Sequence, residues 1–298
     1  MELGTRFRGC LLGLAVGDAV GTTVEFEPRG SFQPLTDMVG GGPFQLRAGE
    51  WTDDTSMALC LAASLVETGK FDARDQMNRY CKWFEHGYMS STDHCFDIGN
   101  TVRNALMEYK HSGNPFSGAT NRMSAGNGSL MRLAPVPIFY YPDREKIRQF
   151  SGESSRTTHG ASEAVEACQL FGEMLYRAFS GAEKEEILFG AGNALSEPAL
   201  QSIADGAYRQ KSINQIRGSG YVVACLEAAL WCFWKTENYH EAILASANLG
   251  DDADTTAAIC GQLAGAYYGE KDIPIRWLQK LARRREIAQL ADKLRLFS

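Results

Sequence analysis

The sequence of 298 residues has no CxxC pair, no large basic cluster and no apolar run long enough to cross a bilayer. Its eight cysteines are scattered through apolar segments, so we expect buried free thiols in a reducing cytoplasm rather than disulfides. The formal net charge of −6, with lysine and arginine dispersed, argues against a nucleic-acid partner. Residues 11–16 are apolar but too short for membrane insertion, and no signal-peptide pattern is present, so cytoplasmic localisation is expected.

Valine is also scarce. The chain has 10 valines against 35 alanines, and no segment alternates as a strand does, which favours helix over sheet. Apolar periodicity and capping residues predict helices near residues 6–26, 54–68, 72–86, 96–111, 129–140, 143–152, 159–180, 183–194, 197–208, 218–235, 239–248, 253–269, 274–281 and 284–296. The expected fold class is therefore all-α, with a single compact multi-helix domain over residues 1–298, and we expect a monomer.

Two short acidic clusters each lead into an apolar helix. One is Thr-Asp-Asp-Thr at residues 52–55, and the other places three aspartates within residues 251–254. Carboxylates this close repel one another and raise each other's pKa unless a cation lies between them. Asp252 and Asp254 would lie about 200° apart on one helix, so they converge only if Asp252 precedes the helix and Asp254 and Thr255 form its first turn. Oxygen ligands of this kind suit Mg²⁺ or Mn²⁺ rather than Zn²⁺, and the pattern predicts one cation site built from both ends of the chain.

Glycines spaced by four residues form a stripe on the first helix, and a matching stripe lies on the helix near 253–269. The first stripe is Gly9, Gly13, Gly17 and Gly21, and the second is Gly261, Gly265 and Gly269. Each glycine inside a helix costs ~1 kcal/mol relative to alanine, so the stripes predict a compensating close approach of the two helices. Such a crossing would bring Asp18 and Glu25 towards the acidic clusters.

Two further segments could serve a ligand, and each has a plain structural alternative. Residues 28–50 form a long loop, which is either a lid over a site or a flexible surface connection. Asp97 and Asn100 are three residues apart and therefore share one face of a predicted helix. On the residues alone, Asp97 is expected to cap that helix.

Three segments at predicted helix starts are also candidates. The Gly-Asn-Gly-Ser run at residues 126–129 could hold phosphate oxygens on its backbone N–H groups, or it could be a plain turn with Ser129 as the helix cap. His159 is either structural or in contact with a ligand. Tyr221, at the open end of a helix whose apolar face belongs to the core, could stack on a base.

Taken together and in order, these motifs resemble those of the ADP-ribosylglycohydrolase family and, within it, the bacterial dinitrogenase reductase-activating glycohydrolase branch. The motifs are residues 13–21 with Glu25, residues 52–55, residues 126–132, residues 158–159 and residues 250–256. Any one of them is weak, but the ordered set is specific and covers nearly the whole chain.

The resemblance implies an all-α enzyme with two divalent cations, Mg²⁺ or Mn²⁺, that acts on an ADP-ribosylated protein substrate and releases ADP-ribose. Matched motif by motif, it assigns metal binding to Thr52, Asp53, Asp54, Asp252, Asp254 and Thr255. It assigns catalytic roles to Glu25, Asp54 and Asp97. It assigns substrate binding to Asn100, Gly126, Asn127, Gly128, Ser129, His159 and Tyr221, with the glycine-rich run cradling the diphosphate.

Asp97 and Asn100 match positions that the arginine-specific branch uses near the scissile bond, so the resemblance favours ADP-ribosyl-arginine over ADP-ribosyl-serine. The transferred chemistry is consistent, because paired cations can bind ribose hydroxyls, orient the sugar and activate a water. Cleavage also needs a proton at the leaving nitrogen, and Asp97 and Glu25 are both available for that role.

Two other functions share parts of this pattern. A two-metal phosphohydrolase acting on a nucleotide would use the same metals but attack phosphorus. A catalytically silent family member would only bind ADP-ribose or a partner protein, although such a protein has no physical need for six clustered oxygen ligands. Intact ADP-ribose as the product distinguishes glycosidic cleavage from phosphorus chemistry, which gives AMP or phosphate.

Overall fold

A computed structural model of the chain describes residues 1–189 and 195–297, and the regular structure in these ranges is helical. No strand occurs among the described residues, which contain only isolated β-bridges, so the all-α prediction is confirmed. The α-helices are α1 (Leu3–Gly21), α2 (Asp53–Thr68), α3 (Ala73–His86), α4 (Asn100–Ser112), α5 (Pro135–Tyr140), α6 (Arg144–Arg156), α7 (Ser162–Phe179), α8 (Lys184–Leu188), α9 (Pro198–Ala204), α10 (Val222–Lys235), α11 (Tyr239–Ala247), α12 (Ala253–Tyr268), α13 (Ile275–Lys280) and α14 (Arg284–Arg295).

Helices α1 and α12 cross with their backbones in contact. A Cβ added at Gly13 would overlap the carbonyl oxygen of Gly261, and one added at Gly9 would overlap that of Gly265. Both helices are buried over most of their length, and α2, α7, α10, α11 and α14 pack around them. The predicted crossing is therefore present, and it places Asp18 beside the first turn of α12.

Helix α1 and the short 3₁₀ turn that follows it (Thr22–Val24) form a stretch, Leu3–Val24, that is long and apolar enough to cross a membrane by length and composition. The sequence prediction considered only residues 11–16 and missed this property. In the fold, 89% of the apolar window is buried inside the protein. The apolar side chains of α1 are thus used in the core.

Several predicted helix boundaries were wrong, and three of the errors bear on the candidate site. The helix predicted at 96–111 begins only at Asn100, and the helix predicted at 159–180 begins at Ser162. The helix predicted at 129–140 begins at Pro135, after a series of turns. A fourth prediction, 183–194, is helical over Lys184–Leu188, and its end at 190–194 lies outside the described residues.

The loop at 28–50 is bonded to the C-terminal part of the chain at several points. Its backbone exchanges hydrogen bonds with Asn248, whose Oδ1 accepts from the N–H of Leu35 at 2.7 Å. Asp37 accepts a hydrogen bond from the Trp277 indole, and the carbonyl of Gly49 accepts one from the N–H of Ala282 at 2.9 Å. These bonds make the segment a packed connection rather than a flexible one, and the lid over a site stays a prediction.

We expect Gly17→Ala to destabilise the protein, because the added Cβ would overlap the carbonyl oxygen of Ala257 in α12. Overpacking between two backbones should cost about 3 kcal/mol or more, despite the better helix propensity of alanine. Thermal and denaturant unfolding of the variant and the parent measure the effect. Gly99→Ala is the matched control, since nothing lies within 4 Å of a Cβ there, and its effect should stay within about 0.5 kcal/mol. Equal losses in the two variants would contradict the close crossing.

Candidate active site

Three helix ends meet at the acidic clusters. Asp18 lies near the C-terminal end of α1, Asp54 lies in the first turn of α2, and Asp254 lies in the first turn of α12. Asp252 precedes α12 as its N-terminal cap residue, in the arrangement that the 200° argument required. The two clusters from distant parts of the chain therefore converge on one buried point.

Asp18 ties the cluster to the crossing of α1 and α12. Its carboxylate accepts hydrogen bonds from the backbone N–H and hydroxyl of Thr52, both at 2.9 Å. It also accepts from the N–H and hydroxyl of Thr55, at 3.0 and 2.6 Å. These four bonds cap the N-terminal end of α2. The sequence analysis placed Asp18 near the site but did not include it among the site residues.

The carboxylate oxygens of the cluster lie close together, and the protein offers them fewer hydrogen-bond donors than they can accept. The Thr52 hydroxyl lies 3.2 Å from Oδ2 of both Asp54 and Asp254, and the Thr255 hydroxyl lies 3.4 Å from Asp54 Oδ2. The Oδ1 atoms of Asp54 and Asp254 are buried and have no hydrogen-bond partner in the described part of the chain. Buried anionic oxygens without partners are costly, so this arrangement fits a cation.

Two carboxylate triads share one member and could each hold a metal ion. Asp18, Asp54 and Asp254 form one triad, and Glu25, Asp97 and Asp254 form the other, with ligand atoms in each triad within 4.8 Å of one another. All the donors are oxygens, as Mg²⁺ and Mn²⁺ prefer.

Two of the predicted carboxylate ligands lie outside these triads. Asp53 lines the cleft beside the triads. Asp252 also lines the cleft, and its Oδ2 accepts a hydrogen bond from the Asn127 amide at 2.8 Å.

Burial and mutual repulsion raise the pKa of the carboxyl groups. Burial, followed by the charges of Asp97 and Asp252, raises the pKa of Glu25 to about 10. Burial and the charge of Asp18 raise the pKa of Asp97 to about 7. The pKa values of Asp53, Asp54 and Asp254 are raised well above the ordinary value for the same two reasons. A site of this kind gains from bound cations and holds protons when none are bound.

Asp97 does not lie on a helix. Its backbone is left-handed, with φ at 57°, and Gly99 rather than Asp97 precedes the first turn of α4. Aspartate is one of the few residues that tolerate this conformation, which the helical spacing to Asn100 could not reveal. The predictions of a shared helix face and of a cap were therefore wrong. Asp97 and Asn100 nevertheless line the same cleft of about 360 Å³, together with Glu25 and Asp254.

The Gly-Asn-Gly-Ser run forms one wall of this cleft as a turn and not as a helix start. Gly126, Asn127 and Gly128 line the cleft, and the N–H of Asn127 donates to the carbonyl of Gly220 at 3.1 Å. Ser129 differs from expectation, because its hydroxyl lies in the core, 2.8 Å from that of Ser155. Its side chain is thus directed away from the cleft, and no helix follows for it to cap.

His159 and Tyr221 lie on either side of the glycine-rich turn. His159 is buried against it, and a Cβ added at Gly128 would lie 2.9 Å from the imidazole Cε1. Burial and the nearby Arg132 lower the pKa of His159 to about 3, so the imidazole is neutral. Tyr221 is 40% exposed and lines an adjoining cavity of about 740 Å³ beside Met123, and the two cavities share Gly126.

An aromatic cluster at the edge of the cleft was not identified from the sequence. The ring centroids of Phe26 and Phe44 are 6.4 Å apart, and those of Phe44 and Phe96 are 5.2 Å apart. Phe26 is 65% exposed and has φ at 64°, which is rare for an aromatic residue. Phe26 directly follows Glu25, and Phe96 directly precedes Asp97. We call these three residues the aromatic rim.

A separate groove of about 500 Å³ lies between α6 and α7, lined by residues such as Arg144 and Glu173. It contains none of the residues singled out from the sequence. Two other cavities, which share Gly126, form the candidate site, because they are lined by the glycine-rich turn, by Tyr221 and by Asp53, Asp252, Asp254 and Thr255 of the acidic clusters.

Comparison with known proteins gives consistent results. A sequence model of the family described as ADP-ribosylglycohydrolase matches residues 1–298. A solved structure described as "ADP-ribosylglycohydrolase-related protein complex" has a TM-score of 0.88 and 42% identity, over 100% of this chain and 99% of that chain.

Curated relatives cover nearly the whole chain. ADP-ribosylarginine hydrolase Tri1 of Pseudomonas putida (strain GB-1) is 51% identical over 289 residues, which are 97% of this chain and 77% of the relative. The Tri1 protein of Serratia proteamaculans (strain 568) is 46% identical over 96% of this chain and 78% of the relative. ADP-ribosyl-[dinitrogen reductase] glycohydrolase of Rhodospirillum rubrum is 32% identical over 97% of this chain and 95% of the relative. The resemblance read from the motifs is thereby confirmed, and the two Tri1 proteins are more similar to the chain than the dinitrogen reductase enzyme.

The raised pKa of Glu25 predicts how the stability of the metal-free protein depends on pH. Its carboxyl holds a proton in the folded state up to about pH 10 but loses it near pH 4.5 when unfolded. The stabilisation is therefore complete at low pH and is lost progressively as pH rises towards 10. With excess chelator, Tm should fall between about pH 7.5 and 9, a range above the ordinary histidine pKa of 6.5, so that His159 is neutral when folded and almost entirely neutral when unfolded.

The matched variant for this measurement is Glu25→Gln, which cannot titrate. In this variant Tm should fall less steeply with pH than in the parent. It should still fall, because Asp53, Asp54 and Asp254 also have raised pKa values. A parent protein whose Tm rises over this range would show that the carboxyl groups are not mutually repelling.

Proposed function

The chain belongs to the ADP-ribosylglycohydrolase family, and we propose that it removes ADP-ribose from arginine side chains of modified proteins by metal-dependent hydrolysis of the N-glycosidic bond. The observation that carries this proposal is the buried group of carboxylates around Asp54 and Asp254, whose Oδ1 atoms have no hydrogen-bond partner in the described residues, at one end of the cleft that the glycine-rich turn lines. The activity for which the Tri1 relatives are named, ADP-ribosylarginine hydrolysis, supports the arginine linkage.

The residues present fit two divalent cations, Mg²⁺ or Mn²⁺. The buried, unpartnered Oδ1 atoms of Asp54 and Asp254 are suitable ligands, with Thr52 and Thr255 beside them. We also assign Asp53 and Asp252, which line the cleft, to metal binding. When bound, the cations would supply charge that orients the ribose hydroxyls and lowers the pKa of a water.

Asp18 has a different role in this proposal. Four donors already occupy the lone pairs of its carboxylate. Asp18 therefore holds Thr52 and the start of α2 in position rather than contacting the substrate. Its effect on the reaction passes through Thr52.

Glu25 and Asp97 carry the proton transfers. Glu25 is buried in the cleft, whereas Asp97 is partly exposed and directly follows Phe96 of the aromatic rim. The pKa of Glu25 is raised partly by the neighbouring carboxylates, so its carboxyl can lose its proton when cations offset their charge. We assign Glu25 to take a proton from the attacking water as the water oxygen bonds to the ribose C1 carbon. Asp97 donates a proton to the guanidine nitrogen as the bond from C1 to that nitrogen breaks.

The remaining groups bind ADP-ribose along the two cavities. We assign the backbone N–H groups of Gly128 and Ser129 to the diphosphate, because those of Gly126 and Asn127 already donate to the carbonyls of Ser124 and Gly220. Tyr221 is assigned to stack on the adenine, and Asn100 and His159 to contact the rest of the ADP-ribose. The aromatic rim offers flat faces for a planar guanidinium, which stacks on aromatic rings more readily than other cations do.

The protein is proposed to act as a monomer in the cytoplasm. The eight cysteines are free thiols, and Cys81 and Cys95 are the two that are only partly buried. This pattern fits a reducing compartment.

We expect hydrolysis of ADP-ribosyl-arginine protein to stop in excess chelator and to return when Mg²⁺ or Mn²⁺ is added. Chromatography should identify intact ADP-ribose as the product. AMP or free phosphate would instead support the nucleotide phosphohydrolase.

In the variant Asp254→Ala, turnover should be lost while the protein stays folded, because Asp254 belongs to both triads. Metal-free Tm should not fall in this variant, since carboxylate repulsion is relieved. Near-parental turnover would remove Asp254 from the metal site.

Asp97→Asn should reduce turnover of ADP-ribosyl-arginine about a hundredfold, which corresponds to ~3 kcal/mol, because the amide cannot donate a proton as the acid does. Asparagine tolerates the left-handed backbone at this position, so the fold should be retained. Binding of free ADP-ribose, measured by calorimetry, should change much less than turnover. Asp93→Asn is the matched control, because Asp93 is exposed in the same loop and is also left-handed. Equal losses of binding and turnover in Asp97→Asn would assign Asp97 a structural role.

A further inference from the structure

Arg132 is a fully buried cation whose hydrogen-bond partners in the described part of the chain are all uncharged. Its Nη1 donates to the carbonyl of Gly128 at 3.1 Å, and its Nη2 donates to the hydroxyl of Thr158 at 2.8 Å. The guanidinium also lies 4.6 Å from the ring centroid of Tyr80. Burying a charge without a counter-ion is costly. Because Arg132 lies behind the glycine-rich turn, the free-energy cost of burying its charge suggests a role in shaping the cleft.

The hydroxyl of Thr158 connects Arg132 to His159. Arginine can only donate, so Thr158 Oγ1 accepts from Arg132. The other partner of this hydroxyl in the described residues is Nδ1 of His159, at 2.9 Å. A buried hydroxyl proton needs an acceptor, and Nδ1 provides it only if that nitrogen carries no proton. The neutral imidazole then carries its proton on Nε2.

The Nε2 atom faces the cleft between two glycines. A Cβ added at Gly126 would lie 3.2 Å from Nε2, and one added at Gly128 would lie 3.3 Å from it. Both glycines line the cleft together with His159. The backbone of His159 is fixed as well, because its N–H donates to the carbonyl of Ser155 at 2.7 Å. Nε2–H is thus a donor in a fixed position beside the turn.

We propose that Arg132 and Thr158 are positioning residues that fix His159 as the Nε2–H tautomer, so that the ring presents a neutral hydrogen-bond donor to an anionic oxygen in the cleft. The identity of that oxygen as one from ADP-ribose rests on the proposed function, whereas the tautomer does not.

The same guanidinium also fixes the turn. Its two terminal nitrogens hold the Gly128 carbonyl and Thr158 at once, and a lysine ammonium, as a single point charge, cannot reproduce this fork. The low pKa of His159, caused by burial and by Arg132, agrees with a ring that remains neutral. Arg132 therefore sets the relative position of the turn and the histidine donor.

Nitrogen-15 NMR of histidine-labelled protein at pH 7 tests the tautomer directly, since the chain has only five histidines and His159→Gln identifies the signal. The expected spectrum shows a protonated Nε2 and an unprotonated Nδ1. In Thr158→Val the donor to Nδ1 is lost, so the two tautomers should mix, and affinity for ADP-ribose should fall about tenfold, or ~1.4 kcal/mol. Thr158→Ser should restore both properties.

Thr157→Val is the matched control, because the Thr157 hydroxyl also accepts from Arg132, at 3.3 Å, but has no hydrogen bond to His159. Its histidine signals should match those of the parent. A protonated Nδ1 in the parent, as the other tautomer or as imidazolium, would overturn the proposal even if every variant failed to fold. An unchanged tautomer in Thr158→Val would overturn it too. If the expected tautomer is present but ADP-ribose is neither bound nor hydrolysed, the proposed function fails and the positioning roles stand.

Discussion

The backbone contact between α1 and α12 is the constraint on which the rest of the site depends. Because glycines remove the side chains from both sides of the crossing, Asp18 reaches the start of α2 and lies beside the first turn of α12. A wider separation of the two helices would leave the clusters at residues 52–55 and 252–255 too far apart to share a cation. The glycines lower the helix propensity of both segments, and the fold recovers this loss through burial.

Much of this arrangement could be predicted because it follows from regular geometry. Helical spacing placed Asp252 before α12 and Asp254 within it, and the glycine stripes identified the crossing. The errors occurred where the backbone is irregular. The left-handed turn at Asp97 leaves no mark in a spacing argument, because aspartate also occurs in helices and caps. Ser129 resembled a helix cap only because the series of turns before Pro135 was taken for a helix. The position of Phe26 at the cleft could not be predicted from the sequence, because its exposed ring and positive φ depend on contacts that form only in the fold.

The charge distribution around the site explains why buried groups of both signs are present. The carboxylates repel one another, whereas Arg132 lies behind the glycine-rich turn with only neutral partners. Together they place a group of carboxyl groups at one end of the cleft and a positive charge behind the turn. Under the proposed function, this asymmetry suits a substrate with a diphosphate, because the positive charge lies on the side of the turn.

The way the acidic clusters are joined also bears on how the chain reaches its folded state. The Thr52 hydroxyl lies 3.2 Å from Oδ2 of Asp254, although the two residues are 202 positions apart in sequence. On a ribosome, α1 and the start of α2 therefore emerge long before their partner helix is synthesised. Until then the apolar face of α1 has no α12 to cover it, and nascent chains in this state are prone to aggregate. Helix α1 thus keeps its apolar side chains uncovered during most of synthesis, and the acidic cluster can form only after α12 has been made.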